Sequence, residues 1–304
     1  DMHSLYNPGG PLAPFQQIGA GAIRRAQGPM SGPNQLGLWL LLPFSFAVLE
    51  LFRSIRARTR EKIPALLATL IIGGAITASL SRSAWIAAVV IAACALVLIF
   101  PRRTVKHIFL GAGAVIGLMV ISILVLDPQI IVRTSSTQGH ITKPRLAWES
   151  MWRSPWGQGL GTAGPASNRV SDTCIDLPAG SDTSWAKPHK DLCVFVAETQ
   201  MQPTDRMCRC PVLPENWYLQ FGIEMGVTGF ALSLLLPILA MMMLWSKRQT
   251  LPGGIAHLAA STALAFIGVS LAALLLHAWE DTAVAFTLWI LLGVVLGRKN
   301  VTSG

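Results

Sequence analysis

Long apolar stretches separated by short polar segments dominate this sequence. A helix that crosses a bilayer needs about 20 mostly apolar residues, and about seven stretches approach or reach that length. Each stretch is apolar on all sides, and none alternates as the strands of a membrane barrel would. The pattern therefore predicts an all-α, polytopic transmembrane helix bundle of about seven spans. The predicted spans are 34–52, 63–79, 84–100, 108–126, 218–245, 255–279 and 282–296.

The connections between these spans differ in charge, and the difference orients the bundle. Basic residues follow every second span, at 53–62, 102–106, 247–248 and 298–299. Because lysine and arginine concentrate in cytoplasmic loops, the other connections are expected on the periplasmic face of a bacterial inner membrane. The chain then begins in the periplasm without a signal peptide, so we expect further spans before Asp1.

The same pattern divides the chain into four segments. They are a periplasmic segment at 1–33, a four-span block at 34–126, a long loop at 127–214 and a three-span block at 215–304. The long loop far exceeds an ordinary connection, so we expect a small ordered periplasmic subdomain or lid.

Composition agrees with a membrane protein. Charged residues make up 13% of the chain, whereas soluble domains carry about 25%. The net charge of +9 would by itself suggest a nucleic-acid partner. We predict none, because the basic residues lie in short clusters between apolar runs, where membrane topology explains them.

Four of the five cysteines, Cys174, Cys193, Cys208 and Cys210, lie in the long loop, and Cys94 lies within a span. An even set in an oxidising compartment predicts two disulfides, with their connectivity left open. A zinc site is the alternative. Only one residue separates Cys208 from Cys210, and metal-ligand pairs usually have two or more between them, so we expect no metal.

Charged residues at the membrane edge are costly and are therefore functional candidates. Arg82 lies in a short outward turn, where a guanidinium can bind a phosphate with two hydrogen bonds. The alternative is an interfacial arginine anchored beside Trp85. Arg145 begins an apolar pattern typical of an amphipathic surface helix, which a glycine-rich turn at 155–161 follows. For this segment the alternative is a lid anchored on the membrane.

Glu215 and Asn216 mark the outer mouth of the fifth span. Glu215 is a candidate general base, with a helix N-cap as the alternative. Glu224, deeper in the same span, is a candidate to pair with an arginine. Arg25 and Asn34 add a further outward polar pair. Together these residues predict a cationic cleft at the outer bilayer surface for an anionic lipid headgroup, such as a pyrophosphate.

In their order and sidedness these residues resemble the O-antigen ligase and O-antigen polymerase superfamily of bacterial membrane glycosyltransferases. The resemblance rests on Arg25 to Asn34, on Ser81 to Trp85, on Arg145 with the turn from Pro155 to Gly161, and on Asn216, Tyr218 and Leu219 with Gly226 and Gly229.

The resemblance implies inverting sugar transfer without a metal or cofactor. It implies an undecaprenyl-pyrophosphate-linked glycan as donor and a lipid- or glycan-linked acceptor. Ligases of the superfamily have a histidine where this chain has Glu215, so the glutamate favours a polymerase or another acceptor. The resemblance implies that Arg82 and Arg145 bind the pyrophosphate, that Glu215 is the base, and that Arg25, Asn34, Gly157, Gly159, Asn216 and Tyr218 contact substrates.

Two other classes of function stay open at this stage. A transporter would move an anionic lipid or solute along the cationic cleft, although transporters place their coupling residues near the bilayer midplane. A non-catalytic subunit would use its long loop to bind other envelope proteins.

Overall fold

The computed structural model describes residues 17–18, 23–106, 134–165, 167, 171–177, 180–186, 192–196, 199–210 and 212–298. The chain divides into two compact units. The first unit comprises Asp1–Gln138 and Leu236–Gly304, and the second unit comprises Gly139–Leu235. In chain order the elements are β1 (Gln17–Ile18), β2 (Ile23–Arg24), α1 (Pro33–Ala57), α2 (Lys62–Ala78), α3 (Arg82–Ile99), α4 (Thr134–Arg153), β3 (Thr173–Leu177), β4 (Leu192–Val196), β5 (Thr199–Gln202), α5 (Trp217–Lys247), α6 (Gly253–Ala272) and α7 (Thr282–Leu296).

In the first unit, α1 contacts α2, α3, α6 and α7. Two glycines allow helices to approach closely. A Cβ on Gly37 would lie 2.8 Å from the Cβ of Ala84, and a Cβ on Gly268 would lie 2.5 Å from Cδ1 of Ile91. Small residues of this kind let helix backbones pack together in membrane bundles. The shared core includes the fully buried Phe266.

Among the described residues, four helices, α1, α3, α5 and α6, are long and apolar enough to cross a membrane, and α2 and α7 are shorter apolar helices. Their bounds lie close to those of the predicted spans, except that α6 ends at Ala272 rather than at Trp279. Hydropathy misses this end because the chain stays apolar through the turn that follows. The predicted span at 108–126 lies outside the described residues. The count of seven spans and the four-segment division stay predictions.

The second unit packs α4 against the first part of α5. Its core contains Ala147 and Ala163 together with Leu219 and Ile223 of α5, and Phe230 packs against this cluster. The predicted amphipathic helix at Arg145 is part of α4, which ends at Arg153.

A small sheet in the long loop is the main departure from the all-α prediction, although the fold is mostly helical. β3 pairs with β4 in parallel, and β4 pairs with β5 in antiparallel fashion. One disulfide joins Cys174 to Cys210, and the other joins Cys193 to Cys208. The prediction of two disulfides is therefore confirmed, and the structure supplies their connectivity.

Candidate functional site

Each of the two units contains some of the predicted site residues. In the first unit, the structure brings Arg25 and Asn34 together. The Arg25 guanidinium donates from Nη2 to Oδ1 of Asn34 at 2.8 Å and from Nε to the carbonyl of Ser79 at 3.0 Å. Arg25 is buried, with 8% of its surface exposed. It therefore connects the start of α1 to the end of α2, and its contact with a substrate stays a prediction.

The turn before α3 is a compact network of serines. Ser81 and Ser83 lie within hydrogen-bonding distance through their hydroxyls at 3.2 Å, and the amide of Ser81 donates to Oγ of Ser79 at 3.3 Å. Arg82 is the first residue of α3 and is half-buried. Trp85 donates from its indole nitrogen to the carbonyl of Ile76 at 3.1 Å, so this side chain secures the turn.

In the second unit, a break in α5 forms the centre of the arrangement. Gly226 has φ 69° and ψ −162°, which are not helical values. A broken membrane helix leaves backbone groups without partners, and each such group is costly. The glycine-rich turn provides hydrogen-bond partners for these groups. The amide of Gln158 donates to the carbonyl of Ile223 at 2.8 Å, and the amide of Gly159 donates to the carbonyl of Glu224 at 3.0 Å.

The close contact between this turn and α5 explains why the turn needs glycines. Gly157 has φ 89°, and a Cβ there would lie 2.3 Å from the carbonyl oxygen of Glu224. The amide of Gly157 donates to Ser154, and that of Gly159 donates to the helix. Both amides are therefore committed within the protein, and binding of a substrate by Gly157 and Gly159 stays a prediction.

Glu224 is a buried carboxylate at this break, with 7% of its surface exposed. Its Oε1 accepts a hydrogen bond from the amide of Gly161 at 2.9 Å. In the described part of the chain no arginine forms an ion pair with Glu224, so the prediction that it pairs with an arginine is wrong. The backbone amide of the turn takes that place because the turn lies directly against the helix.

Glu215 forms an ion pair that sequence reasoning missed. Nζ of Lys143 lies 2.5 Å from Oε1 of Glu215, and both side chains are partly exposed. Glu215 has φ 51°, a left-handed conformation that costs a non-glycine residue energy and is concentrated at functional sites.

The alternative prediction, that Glu215 is the N-cap of α5, is wrong. Oδ1 of Asn216 accepts from the amide of Leu219 at 3.0 Å, so the cap belongs to Asn216.

Arg145 lies on α4, and its side chain is 80% exposed. Its Nε donates to Oε1 of Glu149 at 3.2 Å, and Arg153 lies 3.8 Å from the other oxygen of the same carboxylate. One carboxylate is thus shared by two guanidinium groups, which leaves this face of α4 cationic. Tyr218, by contrast, is buried, and its ring packs 5.4 Å from that of Trp217.

The disulfide-bonded loop contains one group of potential metal ligands. Among the described residues, ligand atoms of Asp172, Cys193 and Cys208 lie within 4.8 Å of one another. The two sulfurs are joined in a disulfide and therefore are not thiolates that could bind a metal. Asp172 instead accepts from the guanidinium of Arg206 at 2.9 Å and from the amide of Arg209 at 2.8 Å. These contacts hold the pKa of the Asp172 carboxyl below its usual value.

Residues 67–199 match the O-antigen ligase family model. The resemblance predicted from the sequence is thereby confirmed. Together with the four long apolar helices, the match identifies a membrane protein. No curated protein and no solved structure matches the chain.

The O-antigen ligase match covers less than half of the chain. Some of the predicted site residues lie inside the matched range, and others lie outside it. Arg82, Arg145 and the turn at 155–161 lie inside it. The residues outside it are Arg25, Asn34, Glu215, Asn216 and Tyr218.

Proposed function

We propose that this protein transfers a glycan from undecaprenyl pyrophosphate to a lipid- or glycan-linked acceptor at the periplasmic face of the bacterial inner membrane. The O-antigen ligase match indicates a ligase or polymerase type of function in polysaccharide assembly. The alternating basic connections support a periplasmic position for the proposed chemistry.

The proposed reaction is an inverting displacement. The oxygen of the acceptor hydroxyl attacks the anomeric carbon of the donor while the bond between that carbon and the pyrophosphate oxygen breaks. The hydroxyl proton passes to the carboxylate of Glu215, which acts as general base. Arg82 and Arg145 bind the departing pyrophosphate and stabilise the negative charge that develops on it.

The observation that carries this proposal is the position of the Glu215 carboxylate. It lies directly before the cap of an apolar helix, in a left-handed backbone conformation and in contact with the ammonium of Lys143. The side chain is 27% exposed, so an acceptor hydroxyl can reach it. A carboxylate that is oriented yet accessible suits proton abstraction better than it suits a purely structural contact.

Arg145 supports the second role. Its guanidinium is exposed although it shares Glu149 with Arg153, so a phosphate oxygen can bind without first entering a buried site. Arg82 places a planar guanidinium at the start of α3, next to Ser81 and Ser83, whose hydroxyls lie 3.2 Å apart. Guanidinium groups match phosphate oxygens with paired hydrogen bonds.

A transfer assay with the full chain in liposomes tests the proposal. Glu215→Gln is expected to reduce turnover about 10²- to 10⁴-fold because the general base is lost. Arg82→Ala and Arg145→Ala are each expected to reduce it about 10²-fold or more. Glu61→Gln and Arg102→Ala are matched controls, since both residues are exposed and neither is assigned a role. Normal turnover in Glu215→Gln, with normal expression, would exclude the proposed base.

The same liposomes test the transport alternative. A transporter would carry an anionic lipid or solute across the bilayer without forming a new glycosidic bond. Flux in the absence of an acceptor, at a rate that Glu215→Gln leaves unchanged, would favour transport over the proposed transfer.

A further inference from the structure

A second polar site lies in the first unit, at the C-terminal ends of α1 and α3. Arg25 and Arg82 lie near the N-terminal ends of these helices. The second site is a pocket of about 200 Å³, formed where the end of α1, the end of α3, the turn after α5 and the start of α6 meet. Aliphatic side chains such as Leu49 and Leu98 form part of its wall, and Arg53 and Arg248 add positive charge. No step of the proposed sugar transfer uses it.

The two arginines of this pocket lack a carboxylate. Within the described ranges of the chain, neither Arg53 nor Arg248 forms an ion pair. The Arg248 guanidinium stacks over the Trp245 ring at 3.7 Å from its centroid, and its Nε is buried without a hydrogen-bond partner. A buried donor without a partner costs about 1–3 kcal/mol, so the arrangement calls for an acceptor. Burial also lowers the pKa of the Arg248 guanidinium, because it disfavours the charged form.

The carboxylate of Glu50, the residue after Leu49, does not line the pocket. Glu50 accepts a hydrogen bond from Oγ of Ser54 at 3.0 Å, and its other oxygen lies 3.6 Å from Nε2 of His257. The contact of the Glu50 carboxylate is thus with His257. Among the described residues that line the pocket, two are arginines and none is acidic, so the lining carries net positive charge.

The start of α6 adds backbone donors to the same pocket. Its N-cap is Pro252, which provides no side-chain hydrogen bond to the helix. The first amides of a helix have no intrahelical acceptor, and the helix dipole favours an anion beside them. A Cβ on Gly253 or on Gly254 would have no neighbour within 4 Å, so an oxygen-rich ligand has room to approach these amides.

We propose that this pocket binds a phosphate group through Arg53, Arg248 and the first turn of α6. Two guanidinium groups and a helix N-terminus are the donors that proteins use for phosphate. The aliphatic wall suits the glycerol and upper acyl chain of a phospholipid. The ligand class is therefore a phosphate ester of a membrane lipid or free phosphate, and these two sources differ in whether the aliphatic wall is used.

Equilibrium binding to the full chain in nonionic detergent, measured by native mass spectrometry, tests the site. The probes are dioctanoyl phosphatidylglycerol, dioctanoylglycerol as its analogue without phosphate, and inorganic phosphate as competitor. Arg53→Gln and Arg248→Gln are each expected to weaken phosphatidylglycerol binding about tenfold, the effect of one charged hydrogen bond. Arg60→Gln is the matched control, because Arg60 is an exposed arginine between α1 and α2 that does not line the pocket.

Each outcome decides one point. If inorganic phosphate displaces the lipid, the site accepts phosphate from either source. If phosphate does not displace it, but both pocket variants lose phosphatidylglycerol binding selectively, the ligand is the lipid headgroup. An equal loss in Arg60→Gln would overturn the proposal in favour of a general attraction to basic loops. Equal binding of dioctanoylglycerol would also overturn it. Arg53 is exposed, so Arg53→Gln keeps the test valid if Arg248→Gln folds poorly.

Discussion

The amide of Val227 donates to the carbonyl of Pro155 at 3.0 Å, so a loop residue closes a hydrogen bond across the break in α5. A Cβ on Gly226 would lie 1.9 Å from that carbonyl oxygen. The glycine-rich turn and the broken helix therefore depend on each other. The resemblance to the O-antigen ligases assigns the glycines of this turn to substrate binding, whereas the structure shows that they first complete a helix.

Gly157→Ala is expected to destabilise the protein strongly. The left-handed backbone at this position costs an alanine about 1–2 kcal/mol, and the contact with the Glu224 carbonyl adds about 1–3 kcal/mol of overpacking. Gly161→Ala is the matched control, because Gly161 has φ 80° but nothing within 4 Å of its Cβ position. Thermal unfolding in detergent should show a clearly lower midpoint for Gly157→Ala than for Gly161→Ala. Equal midpoints would mean that the close approach contributes nothing.

The helices of this protein could be predicted from the sequence, whereas the break in α5 could not. Hydropathy identifies a span by its length and apolar character, and α5 keeps that character on both sides of Gly226. The break depends on hydrogen bonds from the turn at 155–161, which lies far away along the chain. The cap at Asn216 was accessible from sequence, since asparagine directly before an apolar helix is a common N-cap.

The candidate site was predictable only in part for a similar reason. Glu215 and Arg145 stand out because charges at the membrane edge need an explanation. Lys143 does not stand out, because it is separated from Glu215 by 72 positions and resembles any basic loop residue. The sheet of the long loop was missed because its strands are short and because the disulfides that hold it have no sequence-readable connectivity.

Removal of either disulfide is expected to destabilise the second unit. Closing a loop lowers the entropy of the unfolded chain. This raises the free energy of unfolding by about 3 kcal/mol for a loop of 15 residues and by somewhat more for a longer one. The double variant Cys174→Ala with Cys210→Ala, whose bond spans 36 residues, should therefore lose more than Cys193→Ala with Cys208→Ala, whose bond spans 15. Non-reducing peptide mapping checks the pairing, and unfolding in denaturant measures the loss. Reduction with no effect on unfolding would contradict the expectation.

Asp172 predicts a pH dependence for the stability of the same loop. Its pKa is lowered by the hydrogen bond from Arg206 and by that from the Arg209 amide. A group whose folded pKa is lowered contributes stability above its unfolded pKa of about 3.9, and the contribution is lost as pH falls through the folded pKa. Asp172→Asn should lower the unfolding midpoint at pH 7, and the difference from the unsubstituted protein should shrink below pH of about 4. Asp205→Asn is the control, because Asp205 is exposed in the same loop. A difference that stays constant with pH would rule out the carboxylate as its cause.

Lys143 is expected to act as a positioning residue for Glu215, a prediction that depends on the proposed sugar transfer. Exposed ion pairs contribute only about 0–1 kcal/mol to stability, so Lys143→Met should leave the unfolding midpoint nearly unchanged. Turnover should nevertheless fall, because the carboxylate loses the contact that holds it. Once Glu215→Gln has removed the base, adding Lys143→Met should cause no further loss. A double-mutant cycle of turnover measures this coupling, with Lys106→Met as an exposed control. Independent, multiplicative losses would show that Lys143 does not act through Glu215.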